Sequence, residues 1–145
     1  MKILNKKLCI ASDHAGYKLK EDVKNYLISK NVSIIDLGPF SDNSVDYPIF
    51  AKKVSTRVGS KRSDKGILIC GSGTGMAISA NKTKGIRAAV CYNMKSTKLS
   101  RQHNNANVIC LGSRFTKKNI ALKLVDAFLN TKFEGGRHLR RVKKI

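Results

Sequence analysis

Apolar positions follow two rhythms along this chain of 145 residues. Five short runs are apolar nearly throughout: KLCIAS (7–12), VSIIDLG (32–38), KGILIC (65–70), IRAAVCY (86–92) and NVICLG (107–112). Each is rich in Ile, Val and Leu and bounded by Gly, Asn, Asp or Ser, as expected of strands buried on both faces. Helical spacing fills the ranges between them. Residues 16–30 put Leu19, Val23, Tyr26 and Leu27 on one face, and residues 47–58 put Phe50, Val54 and Val58 at i, i+4 and i+8. Thr116 is the expected N-cap of a last long helix carrying Ile120, Ala121, Leu124, Val125, Phe128 and Leu129.

Strand and helix alternate from end to end, which predicts a doubly wound, Rossmann-like three-layer α/β fold with a mainly parallel five-stranded sheet. The length fits one domain, residues 1–145, and only the basic stretch 134–145, EGGRHLRRVKKI, changes character. Ligands of such folds bind at the carboxyl ends of the strands. Those ends read Ser12-Asp13-His14 after the first strand, Cys70-Gly71-Ser72-Gly73 after the third and Gly112-Ser113-Arg114 after the fifth.

Composition narrows the function classes. There is no run of about 18 apolar residues, and the N-terminus turns polar too early for a signal peptide, so a soluble, cytoplasmic protein is expected. Cys9, Cys70, Cys91 and Cys110 lack zinc-ligand spacing, and no metal is predicted. Cys9, Cys91 and Cys110 lie inside apolar runs and read as reduced core residues; Cys70 alone abuts glycines. The formal net charge of +20 raises binding to nucleic acid. The lysines, however, are scattered through helix-like segments with no RNA-binding aromatics, zinc finger or recognition helix beside them, so nucleic acid stays a rival reading only.

The chemistry-bearing residues gather in a few polar stretches. A thiol beside a glycine-rich turn and the start of a helix tends toward the thiolate, although a small buried residue ending a core strand is an equally ordinary use of cysteine. Three glycines at alternate positions, in GSGTG, expose N–H groups that can cradle an oxyanion or phosphate. The pattern lacks the Lys-Ser/Thr of a P-loop and the full dinucleotide fingerprint, so neither ATP nor NAD is predicted. His14, His103 and His138 all sit in polar, loop-like stretches where an imidazole can transfer protons. Asp13 can orient a base or cap the next helix, and Ser72 can bond a substrate oxygen or simply make a turn. Arg137 and Arg141 share a face if the tail is helical, and there they can clamp a phosphate or remain solvated.

Taken in order, SDHAG, VDYP, ICGSGTGMAISANK, GIRAAVC, SRQHNNANVICLGSR and EGGRHLRRV resemble the type B ribose-5-phosphate isomerase family across essentially the whole chain. The wider group includes the galactose-6-phosphate isomerase subunits and allose-6-phosphate isomerases. The resemblance implies a cofactor-free aldose–ketose isomerase that interconverts ribose 5-phosphate and ribulose 5-phosphate through an enediolate. It makes Cys70 the base that moves the proton between C1 and C2, and His103 the group that opens the furanose ring with help from Asp13. It also implies that the loop Gly71, Gly73, Thr74 and Gly75 holds the enediolate oxygen and that Tyr47 and Asn104 contact substrate. His14, Arg114, Arg137 and Arg141 match phosphate-binding positions. Ser72, next to the reacting oxygens, is expected to relay the proton between them.

Two departures from the family pattern stand out. Ser72 occupies a position where threonine is common, which keeps the hydroxyl and drops the methyl that restricts its rotamer. The glutamate base that some branches carry just after the glycines has no counterpart in GMAIS, leaving Cys70 as the evident base. Topology adds one expectation: His103 and Asn104 precede the fifth strand and so lie at its amino end, across the sheet from Asp13 and Cys70. A homodimer with shared active sites would bring them together, as the resemblance also implies, with further assembly to tetramers left open. An allose-6-phosphate or other hexose-6-phosphate preference is the alternative within the family.

Overall fold

The structure is a computed structural model that describes residues 7–145. Strands β1 (Leu8–Ser12), β2 (Ile34–Asp36), β3 (Lys65–Cys70), β4 (Ala88–Val90) and β5 (Val108–Gly112) form one sheet in the order β2-β1-β3-β5-β4. Every pairing is parallel, so the expected mainly parallel sheet is parallel throughout the described residues. Helices α1 (Tyr17–Ser29), α2 (Tyr47–Gly59), α3 (Thr74–Ala80), α4 (Met94–Asn104) and α5 (Lys118–Asn130) connect or follow the strands, and α6 (Arg137–Val142) ends the chain.

Alternation along each central strand divides the core in two. Leu8 and Ile10, Ile67 and Ile69, and Ile109 and Leu111 face α1 and α5, meeting Leu19, Val23, Leu27, Leu124 and Phe128. Cys9 and Ala11, Leu68 and Cys70, and Val108 and Cys110 face the other way, onto Phe50, Val54 and Val58 of α2 and Met76 of α3. These three strands are buried on both faces except at Lys65, which explains their unbroken apolar runs. The two edge strands differ from expectation. β2 and β4 are three residues long and only partly buried, because each has a neighbour on one side.

Three further expectations change. Thr116 does not cap α5: the helix starts one residue later, behind Lys117, and the Thr116 hydroxyl is buried without a partner. His103 lies in the last turn of α4 and His138 on α6, not in loops. Among the described residues no helix is long and apolar enough to cross a membrane.

The carboxyl edge of the sheet is set by register. Ser12 pairs with Ile69 and Cys70 with Gly112, so Asp13, Cys70 and Gly112 leave the sheet side by side. Close backbone approach demands glycine here: a Cβ on Gly112 would sit 2.6 Å from the Ser72 carbonyl oxygen, and one on Gly16 2.4 Å from that of Ile69.

Candidate active site

The carboxyl edge collects one group of the expected residues around Cys70. The Cys70 side chain is buried, and its Sγ accepts a hydrogen bond from the Gly73 N–H at 3.1 Å. Gly73 makes this possible by adopting the left-handed conformation (φ 81°, ψ −21°), which turns its amide back toward the strand end and starts α3. The Thr74 N–H donates to Ser72 Oγ at 3.2 Å, and the exposed Tyr92 donates its hydroxyl to the Ser72 carbonyl at 3.0 Å. Tyr92 also meets the Phe115 ring edge to face, and the sequence offered no signal for it beyond its place just after β4.

The flanking loops close on this turn. Asp13 is buried and accepts the Gly16 N–H at 2.9 Å, so its carboxylate orders the turn into α1 while sitting beside Cys70. His14 is exposed, and its Nδ1 accepts the Val45 N–H at 3.1 Å, which ties it to the loop before α2. The exposed Arg114 lies so close to Gly71 that a Cβ there would come within 2.7 Å of Nη1. The Tyr47 ring covers Gly75 in the same way, at 2.9 Å. A thiol, a carboxylate, an imidazole and a guanidinium thus surround a turn rich in backbone amides.

The other thiols have a different character. Burial pushes the Cys9 and Cys91 thiols up, against hydrogen bonds that pull them down, and raises Cys110 well above its ordinary value with the nearby Cys91 and Cys70 adding to it. All four cysteines are unpaired with one another, and Cys9, Cys91 and Cys110 behave as core residues, as expected.

A second group of expected residues lies elsewhere. α4 runs back toward the amino edge of the sheet, where the Asn107 N–H bonds the Arg87 carbonyl just ahead of β5 and β4. His103 and Asn104 end that helix, away from Cys70, as the chain order implied. α6 packs on α4 so that the His138 ring stacks on His103, and Arg137 and Arg141 are exposed one turn apart on the same short helix. His138 Nε2 lies 3.6 Å from Glu134 Oε2. Burial lowers the His138 pKa, and the charges of His103, Arg137 and Arg141 lower it further against the opposing pull of Glu134.

His103, Glu134 and His138 place their ligand atoms within 4.8 Å of one another, and two imidazoles with a carboxylate are a zinc-type donor set. Their orientation is wrong for a preformed centre. The rings lie face to face, within 11° of parallel, whereas a shared metal must lie in the plane of both. Sequence reasoning left His138 without a partner because Gly135 and Gly136, both at positive φ, stand between it and Glu134 and break the helical spacing.

A family model described as Ribose/Galactose Isomerase matches residues 8–145. The ribose-5-phosphate isomerase B of Escherichia coli K12 is 45% identical over 140 residues, covering 97% of this chain and 94% of that protein. Among solved structures, a ribose 5-phosphate isomerase from Thermotoga maritima superimposes with a TM-score of 0.95 at 50% identity, covering 97% of both chains. Ribose-5-phosphate isomerase B from Mycoplasma genitalium, solved with bound ribulose-5-phosphate, gives a TM-score of 0.93 at 46% identity over 97% of this chain and 94% of that one. With the family model covering nearly every residue and these relatives aligned along almost their whole length, the chain belongs to the ribose/galactose isomerase family.

Proposed function

We propose that this chain interconverts ribose 5-phosphate and ribulose 5-phosphate through an enediolate, with Cys70 as the base. That it is a sugar-phosphate isomerase follows from its family. The observation that carries the finer reading is the Cys70 Sγ held by the Gly73 N–H at the carboxyl edge of the sheet, where a substrate would meet it.

A hydrogen on carbon next to a carbonyl is weakly acidic, so its removal needs a placed base and fixed dipoles aimed at the oxygen that gains charge. The Cys70 thiolate takes the proton from C2 of the open-chain aldose and returns it to C1. The Gly73 N–H stabilises the thiolate directly, and the amides of the Gly71–Gly75 turn face the developing enediolate oxygen. Ser72 Oγ, already accepting the Thr74 N–H, keeps its own proton available for transfer between O1 and O2. His14 and Arg114 hold the phosphate from this side. Tyr47 and Asn104 line the sugar, and Asp13 with His103 opens the furanose ring.

His103, Asn104, Arg137 and Arg141 stand at the other edge of the sheet, so this reading requires a second copy of the chain to supply them. The working unit is then a homodimer with two shared sites.

The test is turnover on ribose 5-phosphate and on allose 6-phosphate by the wild-type protein and by Cys70→Ala. Pentose turnover lost in the variant supports both substrate and base. Preference for the hexose would move the assignment within the family, and a Cys70→Ala protein that retained full turnover would remove Cys70 from its role.

A further inference from the structure

We propose that Arg87 and Arg101 are positioning residues for His103: the two guanidiniums clamp the last turn of α4 and fix the imidazole for ring opening. The proposal rests on the reading of His103 given above. Both arginines lie in motifs that mark the family resemblance, GIRAAVC and SRQHNNAN, yet neither has a part in the chemistry so far.

The last carbonyls of any helix lack partners within it. At the end of α4 the Asn104 carbonyl and the two that follow it are taken by arginine side chains. Arg87 Nε donates to the Asn104 carbonyl at 3.1 Å and to the Asn105 carbonyl at 3.0 Å. Arg101 Nη1 donates to the Ala106 carbonyl at 2.6 Å and to Asn105 Oδ1 at 2.9 Å, and its Nε reaches the Thr131 carbonyl at 3.1 Å. Asn105 is thereby held in the left-handed conformation (φ 47°, ψ 43°) that ends the helix. His103 sits within this grip, two residues after Arg101.

The bond to Thr131 extends the clamp. It joins α4 to the connector that leads to α6, and the Glu134 N–H fastens the same connector to the Gln102 carbonyl at 3.1 Å. His138 stacks on His103 at the end of that path. The arginine pair therefore holds the helix turn that carries His103, and Arg101 also ties that turn to the connector at Thr131.

This arrangement is costly for a mere helix stop, which a glycine would provide. Arg101 is 7% exposed, and among the described residues no carboxylate pairs with either guanidinium. Burial lowers the pKa of both, and the Arg87 charge adds to the effect on Arg101. The buried Arg101 charge is met by carbonyl oxygens and the face of the Phe128 ring, 5.7 Å away, and the half-buried Arg87 by carbonyl oxygens. Catalysis explains the expense, since a catalytic group loosened by about 1 Å loses on the order of 100-fold in rate.

The experiment compares Arg101→Gln, Arg101→Lys, Arg87→Gln and His103→Asn in the full chain, measuring kcat and KM on ribose 5-phosphate. It also follows loss of deuterium label from C1 of ribulose 5-phosphate into water. That ketose is esterified on O5 and cannot close a furanose onto C2, so exchange at C1 needs Cys70 but no ring opening. The expected result is a kcat lowered on the order of 10- to 100-fold in the Arg→Gln variants, with KM within about threefold and exchange close to wild type. Arg101→Lys should recover little, because an ammonium cannot span three acceptors as the planar guanidinium does. His103→Asn should show the same split. Equal loss of exchange and turnover, or unchanged kcat, would overturn the proposal. If His103→Asn alone failed to show the split, the underlying role of His103 would be at fault and the proposal would fall with it. Should Arg101→Gln fail to fold, the half-buried Arg87→Gln carries the test.

Discussion

The rings of His103 and His138 stack with centroids 4.2 Å apart and planes within 11° of parallel. Burial, with the charges of the stacked His103 and the nearby arginines adding to it, holds the His138 pKa below its ordinary value against the pull of Glu134. The folded protein therefore binds fewer protons than the unfolded chain as the pH drops through about 6.5. Stability contributed by neutral His138 is present above that value and is lost below it. The chemical shifts of His138 should titrate below those of a free imidazole. The urea midpoint should fall more between pH 7 and 5 for the wild type than for His138→Asn. Equal acid sensitivity of the two proteins would contradict this account.

The proposed shared sites make a prediction about mixtures. Cys70→Ala and His103→Ala should each be inactive alone. Unfolding and refolding them together should restore activity, because a hybrid dimer holds one site with both native groups. Random pairing restores about one site in four. No recovery from a mixture shown to contain hybrids would mean that each site is closed within one chain.

Two glycines beside Cys70 should respond differently to alanine. At Gly112 the new methyl meets the Ser72 backbone at 2.6 Å, which cannot move without dragging the Cys70–Gly73 turn. Gly112→Ala should lower stability by roughly 1–3 kcal/mol and lower kcat. At Gly71 the three atoms nearest the methyl all belong to the Arg114 guanidinium, the first at 2.7 Å, and a long side chain can swing aside. Gly71→Ala should keep its melting temperature and raise KM, since Arg114 then leaves its proposed place on the phosphate. Thermal melts beside steady-state kinetics distinguish the two.

A third relationship governs acid stability. The Lys20 side chain is fully buried and its Nζ lies 2.6 Å from Asp36 Oδ2, with Lys24 at 2.9 Å on the same oxygen. Burial pushes the Asp36 carboxyl up, but these ammonium groups and the Gly38 amide outweigh it and hold the pKa below the usual value. The resulting stabilisation is complete above the ordinary aspartate range near pH 4 and disappears as the pH falls through the lower folded value. Asp36→Asn should be less stable than wild type at pH 7, with the gap closing below about pH 4. A gap that is constant with pH would show that the pair contributes no charge-dependent stability.

Much of this architecture is written in local pattern. β1, β3 and β5 are apolar because both of their faces are covered, and α1, α2 and α5 show stripes because one face meets the sheet. α4 escaped the same reading for a physical reason. Its buried residues are Thr97, Ser100 and Arg101, so it carries no apolar stripe to detect. Thr116 misled because its hydroxyl is a good cap in composition while the backbone starts the helix one residue later.

The amino-acid sequence by itself determined the alternation of strands and helices, the apolar layers and the glycine turn that presents Cys70, since each depends on residues close along the chain. Only the tertiary structure decided what surrounds them. The seating of Arg114 on Gly71 and of Tyr47 on Gly75, the stack of His138 on His103 and the clamp of Arg87 and Arg101 join residues far apart in sequence or separated by a turn. Periodicity reports which face of an element is buried; it carries no information about which side chain from another element arrives there. That is settled when the helices pack across the sheet and the last carbonyls of α4 find their donors.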